Sequence, residues 1–440
     1  METASEPIEP RPDDTLDVPA LVGLELNGSA GPALAEPALA GPLAVTPLTA
    51  TRGRRRLSVA ARRELLWITV IYLAIRGVVL LAAYLESSFG HYNFLGELAH
   101  WDGLWYRELA NHGYPSHVDH GQTTLGFFPL YPLAIWLLEP VFLVLTSHNS
   151  IWAATVSGVL ISGVGGWVAT VIVHRLAEGW WGREVARRAT ILFIVFPGAI
   201  VFSMVYSEGL LLPLAAGCMW ALQQRRWVLA GLLAGFGSAV QPVGLVGPLI
   251  CLVAAVMYMR ECGWSLRAAR RCLVAPVLGV SGVVGFMMFL WLWTGSPFAN
   301  YIAQHHGWGE RTDLLALVHT ATRLAPSLDP SHFNSPTTID LNLVVGLVGA
   351  VVLLVQLVLL WRSRREVSLE AIVWTLGIAF FACTSEYVPP NPRLLITAFP
   401  AVMVLARYMK GRWFALLVSA NATLLIGLGM LTFVGHTLRP

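Results

Sequence analysis

Apolar residues gather along this chain in long, nearly uninterrupted runs rather than at strand or surface-helix intervals. The runs cover about 65–85, 127–145, 151–174, 189–206, 209–223, 227–241, 243–259, 272–294, 341–361, 369–385, 393–407 and 413–434. A bilayer core of about 30 Å takes roughly 20 helical residues per crossing, so this pattern predicts a bundle of membrane helices. Polar residues concentrate in two longer intervals, 86–150 and 295–340.

Charge placement orients the bundle. Of the 29 Lys and Arg, 22 lie in six clusters: 52–63, 175–188, 225–226, 260–271, 362–365 and 407–412. The intervening segments carry few bases and many acids, among them Glu97, Asp102, Asp119, Glu208, Glu310, Asp313 and Glu386. Basic loops stay cytoplasmic, which puts the acidic segments outside. An even number of crossings must then separate Arg63 from Arg175, although three apolar runs lie there. The run 127–145 is the weakest, broken by Pro129, Pro132, Glu139 and Pro140, and reads as a helix at the outer interface. Eleven crossings remain, with the N-terminus inside and the C-terminus outside. Runs near 209–241 are short for a bilayer and imply tilted or re-entrant pairs.

Composition agrees with an all-α, polytopic membrane protein: 56% of the 440 residues are hydrophobic and 12% charged. Residues 1–56, rich in Pro, Ala and acids, cannot bury enough surface to fold and read as a disordered cytoplasmic tail. No basic start with a short apolar core follows Met1, so the first span is expected to be a retained anchor. Residues 57–440 form the membrane domain. The five cysteines show no CxxC pair or metal spacing. No phosphate-cradling Gly-rich loop with Lys, HExxH or GxSxG is present, and no soluble segment could house a nucleotide-binding fold or contact nucleic acid. Gly163 to Gly166, with small neighbours inside a span, fit close helix packing.

The chemistry-bearing stretch is His100-Trp101-Asp102-Gly103-Leu104-Trp105-Tyr106, followed by Asn111-His112-Gly113-Tyr114 and Phe127-Phe128-Pro129-Leu130-Tyr131-Pro132. A carboxylate among aromatic rings suits a base beside a sugar, since ring faces hold a pyranose and desolvation favours proton uptake. The plainer reading makes Asp102 the cap of a helix starting at Gly103.

These residues resemble the first outer loop of PIG-V-type mannosyltransferases. Phe196-Pro197-Gly198-Ala199 and Tyr206-Ser207-Glu208 resemble two further motifs of that family, in the same order. Ala234 to Leu245 resembles a stretch in which the family carries Arg; here the position is Gln241, which puts a phosphate-binding role there in doubt. The resemblance covers about 95–250, and Pro392-Arg393 is similar again. It implies the GT-C superfamily of integral membrane glycosyltransferases, which use polyprenyl-phosphate sugars outside the cytoplasm with a first-loop acid as base. A polyprenyl-phosphate mannose donor and a glycan, glycolipid or protein acceptor follow from it. The abundance of Ala, Gly, Val and Arg with one lysine, Lys410, points to a GC-rich bacterial genome and hence to the plasma membrane and a cell-envelope product.

Under this reading Asp102 is the catalytic base, and His100, Trp101, Trp105, Tyr106, Tyr206 and Glu208 bind substrate. A leaving phosphate needs a cation, for which Arg393 ranks first, Arg107 second and His305 with His306 third. Their plain alternatives are a snorkelling arginine and solvated loop histidines. Glu208 binds sugar hydroxyls or serves as a first-turn acid; Glu97 and Asp119 are weaker candidates. Asp102 has no neighbouring second acid, so no tightly bound metal is expected and only a weakly held divalent cation is left open. A transporter would carry mid-span charges and repeated halves, neither of which stands out. A silent assembly subunit is the third class.

Overall fold

A computed structural model describes residues 58–90, 93–325 and 340–433. The tail expected at 1–56 lies outside them, as does the end of the second polar interval. Nineteen α-helices occur among the described residues. They are α1 (Val59–Gly90), α2 (Phe94–Leu98), α3 (Asp102–His112), α4 (Leu130–Leu143), α5 (Ser150–Trp181), α6 (Arg183–Val195), α7 (Glu208–Gln223), α8 (Trp227–Ser238), α9 (Val246–Glu261), α10 (Leu266–Cys272), α11 (Val274–Gly279), α12 (Ser281–Thr294), α13 (Ala299–Ile302), α14 (Ala316–Leu324), α15 (Leu341–Arg362), α16 (Leu369–Thr384), α17 (Pro392–Thr397), α18 (Phe399–Tyr408) and α19 (Gly411–Phe433). The all-α expectation holds.

Each of the eleven predicted runs is helical, but the count of eleven crossings is not reproduced. Among the described residues five helical segments are long and apolar enough to cross: Val59–Gly90, Ser150–Trp181, Pro242–Glu261, Leu341–Arg362 and Gly411–Phe433. Two bent pairs, Arg183–Val195 with Pro197–Ser203 at 69° and Leu266–Gly279 with Ser281–Thr294 at 43°, bring the number to as many as seven where each pair is one broken span rather than a re-entrant loop. Helix length accounts for the difference. At 1.5 Å per residue, the 16 residues of α7 span about 24 Å and the 12 of α8 about 18 Å.

α4 is too short to cross alone, as its prolines suggested. It packs along α5. Its Tyr131 hydroxyl donates to the Gly158 carbonyl at 3.0 Å, and its far end turns directly into α5, so the two helices run antiparallel side by side. Tyr131 thereby joins the 127–132 motif to the middle of α5.

The core lies around α5, α6, α7, α18 and the 3₁₀ turn Pro197–Ser203, all of it buried. Gly165 and Gly209 let α5 and α7 close: a Cβ on Gly165 would stand 1.9 Å from the Gly209 carbonyl oxygen. This is the tight packing expected of the 163–166 glycines.

Basic residues of the 175–188 and 407–412 clusters meet acids and carbonyls from other segments. Glu64, near the start of α1, pairs with Arg183 and, at 2.7 Å, with Arg187. Arg188 donates to the Met409 carbonyl at 3.3 Å, and Arg407 meets Glu366 at 3.0 Å. From this end α1 and α6 run together towards the 196–208 segment. Halfway along α1 stands Arg76, 5% exposed, a mid-span charge that the sequence reading passed over. Its guanidinium donates to the backbone carbonyls of Ile194, at 2.9 Å, and Ala199.

Candidate active site

Three charged side chains from distant parts of the chain meet. Arg393 Nη1 donates to Asp102 Oδ2, and its Nε stands 3.5 Å from Glu208 Oε1. The guanidinium also lies over the Tyr206 ring, 5.4 Å from the centroid. Glu208 is 2% exposed in its side chain, Arg393 16% and Asp102 32%. A buried carboxylate is tolerable only when paired, and one arginine compensates both acids. The cluster is open on the Asp102 side.

Local structure places each member. α3 begins at Asp102 itself, so the carboxylate lies in the first turn, where the helix dipole favours it; it makes no capping bond, contrary to the plainer reading. The residue before it, Trp101, has φ of 57° and ψ of −122°. A non-glycine residue held there is strained, a condition that concentrates at functional sites. Glu208 opens α7 in the same way. Arg393 follows Pro392, whose fixed φ suits the first helical position, while Asn391 caps α17 through Leu394 N at 3.0 Å.

Gly198 docks the two halves. A Cβ there would fall 1.9 Å from the Pro392 carbonyl oxygen, so only glycine lets the 197–203 turn press against α17 and set the height of Arg393. Tyr106 donates to Ser207 Oγ at 2.8 Å, and Ser207 donates to Gln241 Oε1 at 3.4 Å. Ser162 Oγ lies 2.7 Å from the Tyr131 hydroxyl and donates to the Tyr206 carbonyl at 2.9 Å. All three motifs thus converge below the charged cluster.

Other sequence-derived candidates fall in different places. Tyr106 and Tyr206 are 4% and 1% exposed, so they support the cluster from the core rather than offering sugar platforms; their rings fill space that membrane helices must pack. Trp101 and His100 meet edge to face at 5.6 Å beside Asp102. Trp105 stacks on Phe127 at 6.0 Å and meets Trp308 edge-on at 5.0 Å. Arg107 turns away: its Nη1 is 3.5 Å from Thr155 Oγ1 and its guanidinium sits over Trp152. His305 and His306 lie in a π-helical turn, with His306 against His120 at 4.8 Å, and form no ion pair with the cluster. Glu97 is buried at the end of α2, and Asp119 accepts from Gly121 N within its loop.

Sequence reasoning missed Trp308. Its indole joins the Trp105 and Phe127 rings from the second polar interval, and its Nε1 is buried without a hydrogen-bond partner. Gln304 Nε2 donates to the Gly126 carbonyl at 2.6 Å and Asn300 to Leu125 at 2.8 Å. The two polar intervals therefore pack on each other, as parts on one side of a membrane must.

Two apolar grooves occur among the described residues, neither lined by Asp102, Glu208 or Arg393. One of about 720 Å³ runs between α3, α4, α8 and α12, lined by Tyr114, Trp136, Phe236, Phe286 and Phe289. Another of about 520 Å³ lies between α1, α2 and α5. Among the described residues no three His, Cys, Asp or Glu side chains converge as a metal site.

Comparisons with known proteins bear on this arrangement. The chain is similar to ArnT from Cupriavidus metallidurans, solved in the apo state (16% identity, TM-score 0.49) and bound to undecaprenyl phosphate (16%, 0.48). The matches cover 84% and 79% of this chain and 63% and 62% of ArnT. An oligosaccharyltransferase from Archaeoglobus fulgidus matches at 15% identity and TM-score 0.37, over 76% of this chain and 47% of the other. The chain thus spans less than two thirds of the length of these solved proteins. No curated protein sequence matches it. The mannosyltransferase (PIG-V) family model matches residues 80–302, taking in Asp102, Trp105, Gly198, Tyr206, Glu208 and Gln241. The chain belongs to the PIG-V mannosyltransferase family.

Proposed function

We propose that the protein transfers mannose from a polyprenyl-phosphate mannose to an acceptor hydroxyl, with inversion at the anomeric carbon, at an extracytoplasmic site of the plasma membrane. The observation that carries this reading is the Asp102–Arg393–Glu208 cluster inside a chain of the PIG-V family. Transfer needs a base for the acceptor proton and a cation for the departing phosphate, and Asp102 and Arg393 stand side by side to supply them.

In the structure the two neutralise each other. When the donor phosphate enters, Arg393 turns its fork towards the phosphate oxygens, and the Asp102 carboxylate is released to accept a hydrogen bond from the acceptor. As the acceptor oxygen attacks C1, the C1–O bond breaks and its electron pair leaves with the polyprenyl phosphate. Asp102 takes the acceptor proton. Glu208 holds Arg393 throughout, so the cation is not drawn out with the product. Trp105 and Trp308 offer ring faces to the sugar, and the 720 Å³ groove takes part of the isoprenoid chain. No cofactor beyond the lipid donor enters this scheme.

Replacing Asp102 by Asn tests it. Positioned acid–base groups contribute about 10² to 10⁴ in rate. Transfer from polyprenyl-phosphate mannose by purified D102N should fall by that order while the protein remains folded. Wild-type rates in D102N would overturn the base assignment; absence of transfer by the wild-type protein from this donor would overturn the donor.

A further inference from the structure

Arg76 is a buried cation that the scheme above does not use. It stands midway along α1 and is 5% exposed, and no carboxylate pairs with it among the described residues. Its Nη2 donates to Ile194 O at 2.9 Å. Nη1 donates to Ala199 O and lies 3.3 Å from Ser203 Oγ. The Tyr72 and Phe202 rings flank the guanidinium at 5.6 and 6.0 Å.

Those carbonyls bracket the 69° break between α6 and the 197–203 turn. Pro197 has no N–H to donate, and the chain changes from α to 3₁₀ form there, so main-chain acceptors near the break lose helical partners. Inside a bilayer such groups must be satisfied by protein. A charged side chain at this depth is expensive and is kept where it has a function. Gly198 lies between the two carbonyls and rests on Pro392 O, next to Arg393.

We propose that Arg76 is a positioning residue: by clamping both sides of the α6 break it holds the Gly198 turn against Pro392 and so fixes Arg393 over Asp102. The inference rests on the function proposed above for Arg393, but one of its tests does not depend on activity. Arg76 touches no member of the charged cluster and acts on it through the backbone.

The experiment compares Arg76→Met and Arg76→Lys with wild type in detergent or nanodiscs. In hydrogen–deuterium exchange, R76M should lose protection at 194–206 and at 391–397 together, with other helices unchanged. Loosening of 194–206 alone, or of neither, would overturn the proposal even if the protein had another activity. In the transfer assay, R76M should lower kcat about 10- to 100-fold, the scale of a catalytic group misplaced by roughly an ångström, with KM for the lipid donor little changed. R76K, which keeps a donor to one carbonyl, should recover part of the rate. A double-mutant cycle with Arg393→Lys should be non-additive, because the two substitutions act on one element. Additive losses would make Arg76 merely structural. If R76M does not fold, R76K carries both the exchange measurement and the cycle.

Discussion

At the residue scale, the site is two carboxylates sharing one guanidinium. Asp102 and Arg393 are 291 positions apart, yet their pairing explains why each is tolerated so near the core. Arginine suits this place because its planar fork can address Asp102 and Glu208 and still turn a donor towards a phosphate, whereas a lysine is a point charge. Arg393→Lys should therefore keep the fold but lose about 10² in kcat, the order found for removing one donor to a developing anion. Steady-state kinetics on folded R393K checks this; a rate near wild type would mean that charge alone suffices. Gln241 stands where the family resemblance leads one to expect Arg, and it accepts a hydrogen bond from Ser207. Among the described residues the charged cluster holds one cation, Arg393. Asp102 and Glu208 were legible from their motifs, and Arg393 from the rarity of outer bases. Trp308 was not, because a single tryptophan in a polar interval carries no sign of the rings it will meet.

At the element scale, short breaks matter more than long helices. The bend after α6, the strained Trp101 and the Pro392 start of α17 bring backbone and charge together where a continuous helix would carry them past one another. A further clasp joins the second polar interval to the segment before α17. Asp313 N donates to Thr384 O at 2.7 Å and Glu386 N to Arg311 O at 3.1 Å, while Ser385 Oγ donates to Glu310 Oε2 at 3.0 Å. Burial raises the pKa of Glu310; the Ser385 hydrogen bond opposes this and the Glu386 charge adds to it. A carboxyl whose pKa is higher folded than unfolded stabilises the fold in its protonated form. That contribution is present at low pH and is lost as pH rises through the folded value. Glu310→Gln should consequently raise the thermal midpoint near pH 8 more than near pH 5. Equal shifts at both pH values would show that Glu310 is not desolvated by the clasp.

At the scale of the whole molecule, the basic residues Arg183, Arg187 and Arg188 and the charged site occupy different ends of the α1–α6 pair. The cluster around Arg260 to Arg271 contains Cys262, which is exposed, whereas Cys218, Cys251 and Cys272 are buried; Cys383 is half-buried, so the labelling is done in a Cys383→Ser background. If the basic loops are cytoplasmic, a membrane-permeable maleimide should label Cys262 in intact cells and an impermeant one should not. Labelling by the impermeant reagent would invert the proposed orientation and place the site inside.

Sequence by itself determined the class of this protein and its family. Long apolar runs admit only membrane helices, and the ordered motifs around Asp102, Gly198 and Glu208 mark the family, because each of these is a local property of neighbouring residues. Tertiary structure alone decided how many runs are long enough to cross, that α4 stands beside α5, and that Tyr106 and Tyr206 are support rather than surface. It also decided that Arg76 reaches a broken helix and that Arg393 meets Asp102 and Glu208. The physical reason is common to all of these: helix breaks and long-range ion pairs depend on which carbonyls and charges are left unsatisfied after packing, and packing is a property of no single segment.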